Sequence, residues 1–147
     1  MKNNQYLVLL RGINVGGKNI IKMAELKASF EEMGFSNVVT YIQSGNVLVQ
    51  SVDKDKAALT TKIEKGLSKR FNFDAKVVVI SQKELAAIVR DAPEGFGENG
   101  KKFRDDVIFL KEPLTSKEAM KSVSVREGVK NKAPVCPHEP HPHLRGL

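Results

Sequence analysis

The chain has 147 residues, enough for one domain or two small fused subdomains at about 150 residues per domain, and too few for a large multidomain enzyme. Apolar residues make up 41% and charged residues 28%, a balance that excludes wholesale disorder and collagen-like or mucin-like chains; the single cysteine, Cys136, excludes an internal disulfide. A formal charge of +7 permits phosphate-bearing partners without selecting one.

The opening run Gln5–Leu10 is apolar and meets a glycine cluster, which predicts a buried strand, β1, ending near Arg11. It is too short for a secretory signal or a membrane span, so a cytoplasmic location and no membrane partner are expected. After the loop Gly12–Asn19, Met23, Leu26, Phe30 and Met33 recur at helical spacing and predict α1, with Gly34 as its stop. Val38, Thr40 and Ile42 alternate with Val39, Tyr41 and Gln43. Val47–Val49 resumes after the turn signal Ser44-Gly45-Asn46, so a β2–β3 hairpin is expected. Leu59, Ile63, Leu67 and Phe71 share one helical face and predict α2, with Asp53 or Asp55 as N-cap and Lys62, Lys65 and Lys69 on another face. Ala75–Ile80 reads as β4.

This order is βαββαβ, the ferredoxin-like unit, over residues 1–80. A smaller second portion follows over residues 81–128. Ser81–Glu84 is a capping box opening a helix with Leu85, Ile88 and Val89, and a loop follows at Pro93, Gly95, Gly97 and Gly100. Val107–Leu110 reads as a strand, and Thr115–Glu118 is a second capping box before a helix ending near Val123. From Val129 the composition changes: four of the six prolines and all three histidines lie in 129–147, a tail expected to be irregular. The expected fold class is therefore α+β, a ferredoxin-like unit with a smaller helix-and-strand portion.

The segments Arg11–Asn19 (RGINVGGKN), Met23–Leu26 and Tyr41–Val47 (YIQSGNV) resemble a bacterial family known as domain of unknown function 1697, from about Tyr6 to about Gly128. The resemblance implies a cytosolic α+β protein with a ferredoxin-like first half and a smaller second half, and no established activity or cofactor. It also implies further helix and strand after Val125–Gly128 and a Trp-containing segment. Val129–Leu147 has neither, so a premature end or an altered reading frame is expected, leaving the second portion incomplete.

The loop Gly12–Asn19 fits the first seven positions of a P-loop, but Asn19 stands where Ser or Thr would hold magnesium, and no Walker B aspartate is visible. A looser anion site survives that failure, because successive glycines can aim N–H groups at a phosphate. The plainer alternative is a tight strand-to-helix loop with positive φ. In βαββαβ topology the β2–β3 turn shares a sheet end with this loop. Arg11, Gly12, Asn14, Gly16, Gly17, Lys18, Gln43, Ser44 and Asn46 would therefore collect there, with Lys69 and Arg70 in reach. The set is rich in donors and free of carboxylates, which suits a phosphate-containing small molecule or another anion. Against this stands the commoner role of Asn and Ser in satisfying their own turns.

Two other classes remain. An enzyme acting on a phosphorylated small molecule needs a base or nucleophile, and this edge has no histidine, cysteine or carboxylate; Ser44 has no partner to activate it. A nucleic-acid-binding domain fits the basic charge, but the aromatic pattern of RNA-binding sheets is missing, with Tyr6 alone in β1 and none in β3. A lysine stripe such as Lys62, Lys65 and Lys69 is more often a solvated helix face. In the tail, Cys136, His138, His141 and His143 have donor chemistry for zinc or copper, but the intervening prolines favour extended chain and no metal site is expected.

Overall fold

Apolar residues alternate along the first strand, and this alternation decides which face of the sheet becomes the core. The structure, a computed structural model, describes residues 3–98, 100, 105–124 and 143–145. In β1 (Asn4–Leu10) Tyr6, Val8 and Leu10 are buried, and Leu7 and Leu9 face the other way, half-buried. After α1 (Met23–Glu32) come β2 (Ser36–Tyr41), β3 (Asn46–Ser51), α2 (Lys56–Phe71) and β4 (Val77–Ser81). The four strands form one sheet in the order β2-β3-β1-β4, with every neighbouring pair antiparallel. This is the ferredoxin-like order, and it differs from the parallel sheets on which P-loop folds are built.

Both helices lay the predicted stripe on the inner face. Leu26 and Phe30 of α1 and Leu59, Ile63 and Leu67 of α2 are buried with Val8, Val47, Val49, Val77 and Val79. Each such side chain contributes about 1.5–3 kcal/mol of hydrophobic stabilisation. Asp55 caps α2 by accepting from the amides of Ala57 and Ala58, while α1 has no side-chain cap at Lys22. Asp53 instead accepts from the amide of Asp55, so it shapes the approach to the cap.

Two strand limits differ from expectation. Ile42 has φ +50°, in the left-handed region that a β-branched residue rarely enters, so β2 ends at Tyr41. β4 starts at Val77, where the backbone amide donates to Glu64 of α2 at 2.9 Å.

The predicted box at Ser81 forms: the Ser81 amide donates to Glu84 at 2.8 Å and the Glu84 amide to Ser81 Oγ at 3.3 Å. Glu84 also pairs with Lys56 at the start of α2. Burial pushes the Glu84 carboxyl up, but Lys56 and the Ser81 donors outweigh it and hold it below its ordinary 4.5. A carboxylate lowered on folding stabilises fully above its unfolded value and loses that contribution as pH falls through the folded one. Glu84→Gln is therefore expected to cost about 1–2 kcal/mol at neutral pH, and the gap to the parent should close as urea melts are taken to pH values below 4.5. A gap that stays constant down to acid pH would mean that the charge contributes nothing.

The chain divides into two compact units, Met1–Leu85 and Ala86–Leu147, with the division inside α3 (Gln82–Arg90). The second unit carries β5 (Val107–Phe109) and α4 (Ser116–Lys121), whose N-terminus is a complete capping box between Thr115 and Glu118. Within the stretch expected to be irregular, His143–Arg145 form a short strand, β6, antiparallel to β5. Backbone pairing needs no hydrophobic period, so three residues among prolines give no sequence signal for it. Cys136, His138 and His141 lie outside the described residues. Among the described residues no helix is long and apolar enough to cross a membrane.

Candidate functional site

The loop after β1 is held at both ends by the core. Ile13 is 1% and Ile21 4% exposed, and both belong to the main apolar cluster. Between these anchors the chain makes a miniature hairpin. Val15 and Lys18 form an antiparallel bridge, the Lys18 amide donates to the Val15 carbonyl at 3.1 Å, and Gly16 and Gly17 turn the corner at φ +59° and +72°. Positive φ at both central positions defines a type I′ turn, which glycine occupies without steric cost. The Gly-Gly-Lys string is thus a hairpin tip, and its shape is not the phosphate-wrapping cradle of a P-loop.

Asn14 holds this hairpin to the rest of the sheet end. Its Nδ2 donates to the carbonyls of Ile21 and Gln43, each at 3.0 Å, and its Oδ1 accepts from the Ile21 amide at 2.8 Å. Asn19 Nδ2 donates to the Gly12 carbonyl at 2.9 Å. The Leu10 amide donates to the Gly45 carbonyl and the Arg11 amide to the Lys76 carbonyl, both at 2.9 Å. The glycine hairpin, the β2–β3 turn and the start of β4 therefore meet at one end of the sheet, as the topology predicts.

The predicted site residues divide into two groups there. Asn14 is committed to the scaffold, and Asn46 Nδ2 donates to Ser44 Oγ at 2.8 Å inside the turn. Gly12 contributes an acceptor to Asn19. Arg11, Lys18 and the Gln43 side chain are exposed and make no ion pair or side-chain hydrogen bond among the described residues, and the Gly16 and Gly17 amides donate to no backbone acceptor there. Arg70 is withdrawn from the set, since it pairs with Glu32 of α1 and lies 5.8 Å from the Phe71 ring centre.

The two segments that supply the predicted set bring no negative charge of their own, since the chain has no carboxylate in residues 1–24 or 33–52. The acids that approach this end come from elsewhere and are engaged: Asp74 forms an ion pair with Lys76 at 2.9 Å, and Glu64 of α2 accepts from the Val77 amide at 2.9 Å. The predicted set holds no histidine, cysteine or carboxylate, and its exposed cations can hold negative charge.

Sequence reasoning passed over a second feature of the same end. Val15 is 67%, Ile20 75%, Tyr41 65% and Ile42 59% exposed. The two-residue alternation of β2 already separates Tyr41 from the core-facing Val38 and Thr40, and that signal was available. Tyr6, the lone aromatic of β1, is buried on the core face, and its hydroxyl donates to the Asp53 carbonyl at 2.9 Å. Burial foremost, then the charges of Asp53 and Glu84, push its phenol up.

A solved structure of the conserved bacterial protein SP0830 from Streptococcus pneumoniae is similar to this chain at 26% identity and a TM-score of 0.73, covering 99% of this chain and 78% of that one. No curated protein matches. The family model described as a protein of unknown function, DUF1697, matches residues 3–135, so the glycine hairpin, the β2–β3 turn and the sheet that presents them lie within the match, and the chain belongs to that family.

Proposed function

We propose that this cytosolic protein binds a phosphate-containing anion at the sheet end formed by the Gly12–Asn19 hairpin and the Gln43–Asn46 turn. The observation that carries this reading is that Arg11 and Lys18 stand exposed, with no ion pair among the described residues, on two segments that carry no carboxylate, beside two glycine amides without a backbone acceptor. Arg11 offers a planar fork to phosphate oxygens and Lys18 a point charge. Gly16 and Gly17 add N–H donors, and Gln43 a side-chain amide. Asn14, Ser44 and Asn46 shape the site from behind.

The test is a thermal-shift series with pyrophosphate and with ATP, with and without magnesium. A ligand at a hundredfold its Kd stabilises by about 2.7 kcal/mol, which moves the melting point of a domain this size by several degrees. Arg11→Ala and Lys18→Ala are each expected to abolish the shift while changing the unliganded protein by about 0.5 kcal/mol or less. A cooperative melt with no shift from any phosphate compound would overturn the reading, and turnover of ATP lost in Lys18→Ala would replace it with an enzymatic one.

A further inference from the structure

The sheet face turned away from the helices continues from the cationic end. Cross-strand partners share a face, so the register places Tyr41, Asn46, Leu9 and Val78 in one row across the four strands and Val39, Leu48, Leu7 and Ile80 in the next. The β4 side of this face is closed, with Ile80 fully buried, and the β2–β3 side is open: Val39 is 55%, Tyr41 65% and Leu48 45% exposed. Pairing of Arg11 with Lys76 extends the β1 alternation by one step, so Arg11 follows Leu7 and Leu9 onto this same face.

From this juxtaposition we infer that the anion site is one end of a track for single-stranded nucleic acid, running from Lys18 and Arg11 past Tyr41 to Val39 and Leu48. The inference rests on the anion reading above and extends it. Single strands are held by cations that follow the phosphates and by flat or apolar side chains that take the faces of the bases. The open face supplies both in sequence, with cations at the sheet end and the aromatic ring next. Two residues along β2 span about 6.7 Å and neighbouring strands stand about 4.8 Å apart, so the track is longer than one nucleotide needs. The lysines of α2 are not part of it. They belong to the helix layer on the other face, where Lys62 lies 5.1 Å from the Phe35 ring centre.

An acidic peptide is the competing macromolecule. It would add most simply as a strand along the β2 edge, but the β2–β3 register slips between Ser36 and Val39, and Asn37 sits at φ +49°. Such a bulge bends the edge away from an incoming strand.

The experiment is fluorescence anisotropy on the full chain with a labelled oligothymidine of about a dozen nucleotides, titrated over a range of salt. Affinity should fall with log salt by about 0.7 per phosphate contacted, and Arg11→Ala or Lys18→Ala should each reduce that slope by about 0.7. Tyr41→Ala should weaken binding about tenfold at every salt concentration with the slope unchanged, and Tyr41→Phe should restore it. Tyr41 is exposed enough that both variants fold, which their urea midpoints verify. Oligothymidine that binds no tighter than pyrophosphate, while the pyrophosphate shift persists, overturns the track and leaves the anion site standing. Loss of both overturns both. Polyglutamate of equal length competing as well as the oligonucleotide, or Tyr41→Ala without effect, also overturns the track.

Discussion

Gly45→Ala is expected to destabilise the first unit by about 2–5 kcal/mol, a large share of the 5–15 kcal/mol that holds a typical domain folded. Gly45 is buried in the β2–β3 turn at φ +84°, where a side chain costs about 1–2 kcal/mol from backbone sterics alone. An added Cβ would also lie 2.8 Å from both Ile13 Cδ1 and Leu10 Cβ. Leu10 Cβ is fixed directly to the backbone of an inner strand and Ile13 is wedged in the core, so neither can yield cheaply. Overpacking of this kind adds about 1–3 kcal/mol. Gly16→Ala is the matched control. It has positive φ too, but no atom lies within 4 Å of its added Cβ, so only the backbone cost of about 1 kcal/mol applies. Urea melts of both variants separate the two contributions: the Gly45 midpoint should fall several times further than the Gly16 midpoint at equal m. Equal losses would mean that backbone strain alone sets the cost and that the turn moves freely against Ile13.

The difference between these glycines shows which parts of the site are legible in the sequence. Hydrophobic period reveals β1, the helix stripe Leu26–Phe30 and the stripe Leu59–Ile63–Leu67, because burial of one face leaves a repeat in the chain. With the order known, βαββαβ topology brings the glycine loop and the β2–β3 turn together. The string Gly16-Gly17-Lys18 cannot tell a phosphate cradle from a hairpin tip, since both require glycine at positive φ. The answer depends on the Val15–Lys18 bridge and on the Ile13 and Ile21 anchors, which are tertiary facts. The Asn14 bonds to Gln43 and Ile21 are likewise set by the fold: an asparagine in a loop has the same composition whether it faces a ligand or a carbonyl. Tyr41 was the most readable of the missed residues, because alternation along β2 sets it on the face opposite Val38.

Asn14→Ala is expected to cost about 2–4 kcal/mol and to remove anion binding with it. The side chain makes three hydrogen bonds, two as donor to the Ile21 and Gln43 carbonyls and one as acceptor from the Ile21 amide. Alanine leaves that amide without its partner beside a residue only 4% exposed, and an orphaned buried donor costs about 1–3 kcal/mol. It must also hold φ +53°, which asparagine tolerates better than alanine. Asn14→Asp sharpens the point. The carboxylate can still accept from the Ile21 amide but turns its other oxygen toward two carbonyls, so the native state favours the protonated acid and its pKa rises on folding. Stability of Asn14→Asp relative to the parent should therefore be best at acid pH and fall as pH climbs through that raised value. Arg11→Ala behaves in the opposite way in the same assays, keeping the urea midpoint while losing the phosphate shift. If Asn14 were instead a ligand contact, Asn14→Ala would match Arg11→Ala, with binding lost and the midpoint unmoved. Measuring both quantities on both variants thus separates the residue that holds the hairpin in place from the residue that meets the anion.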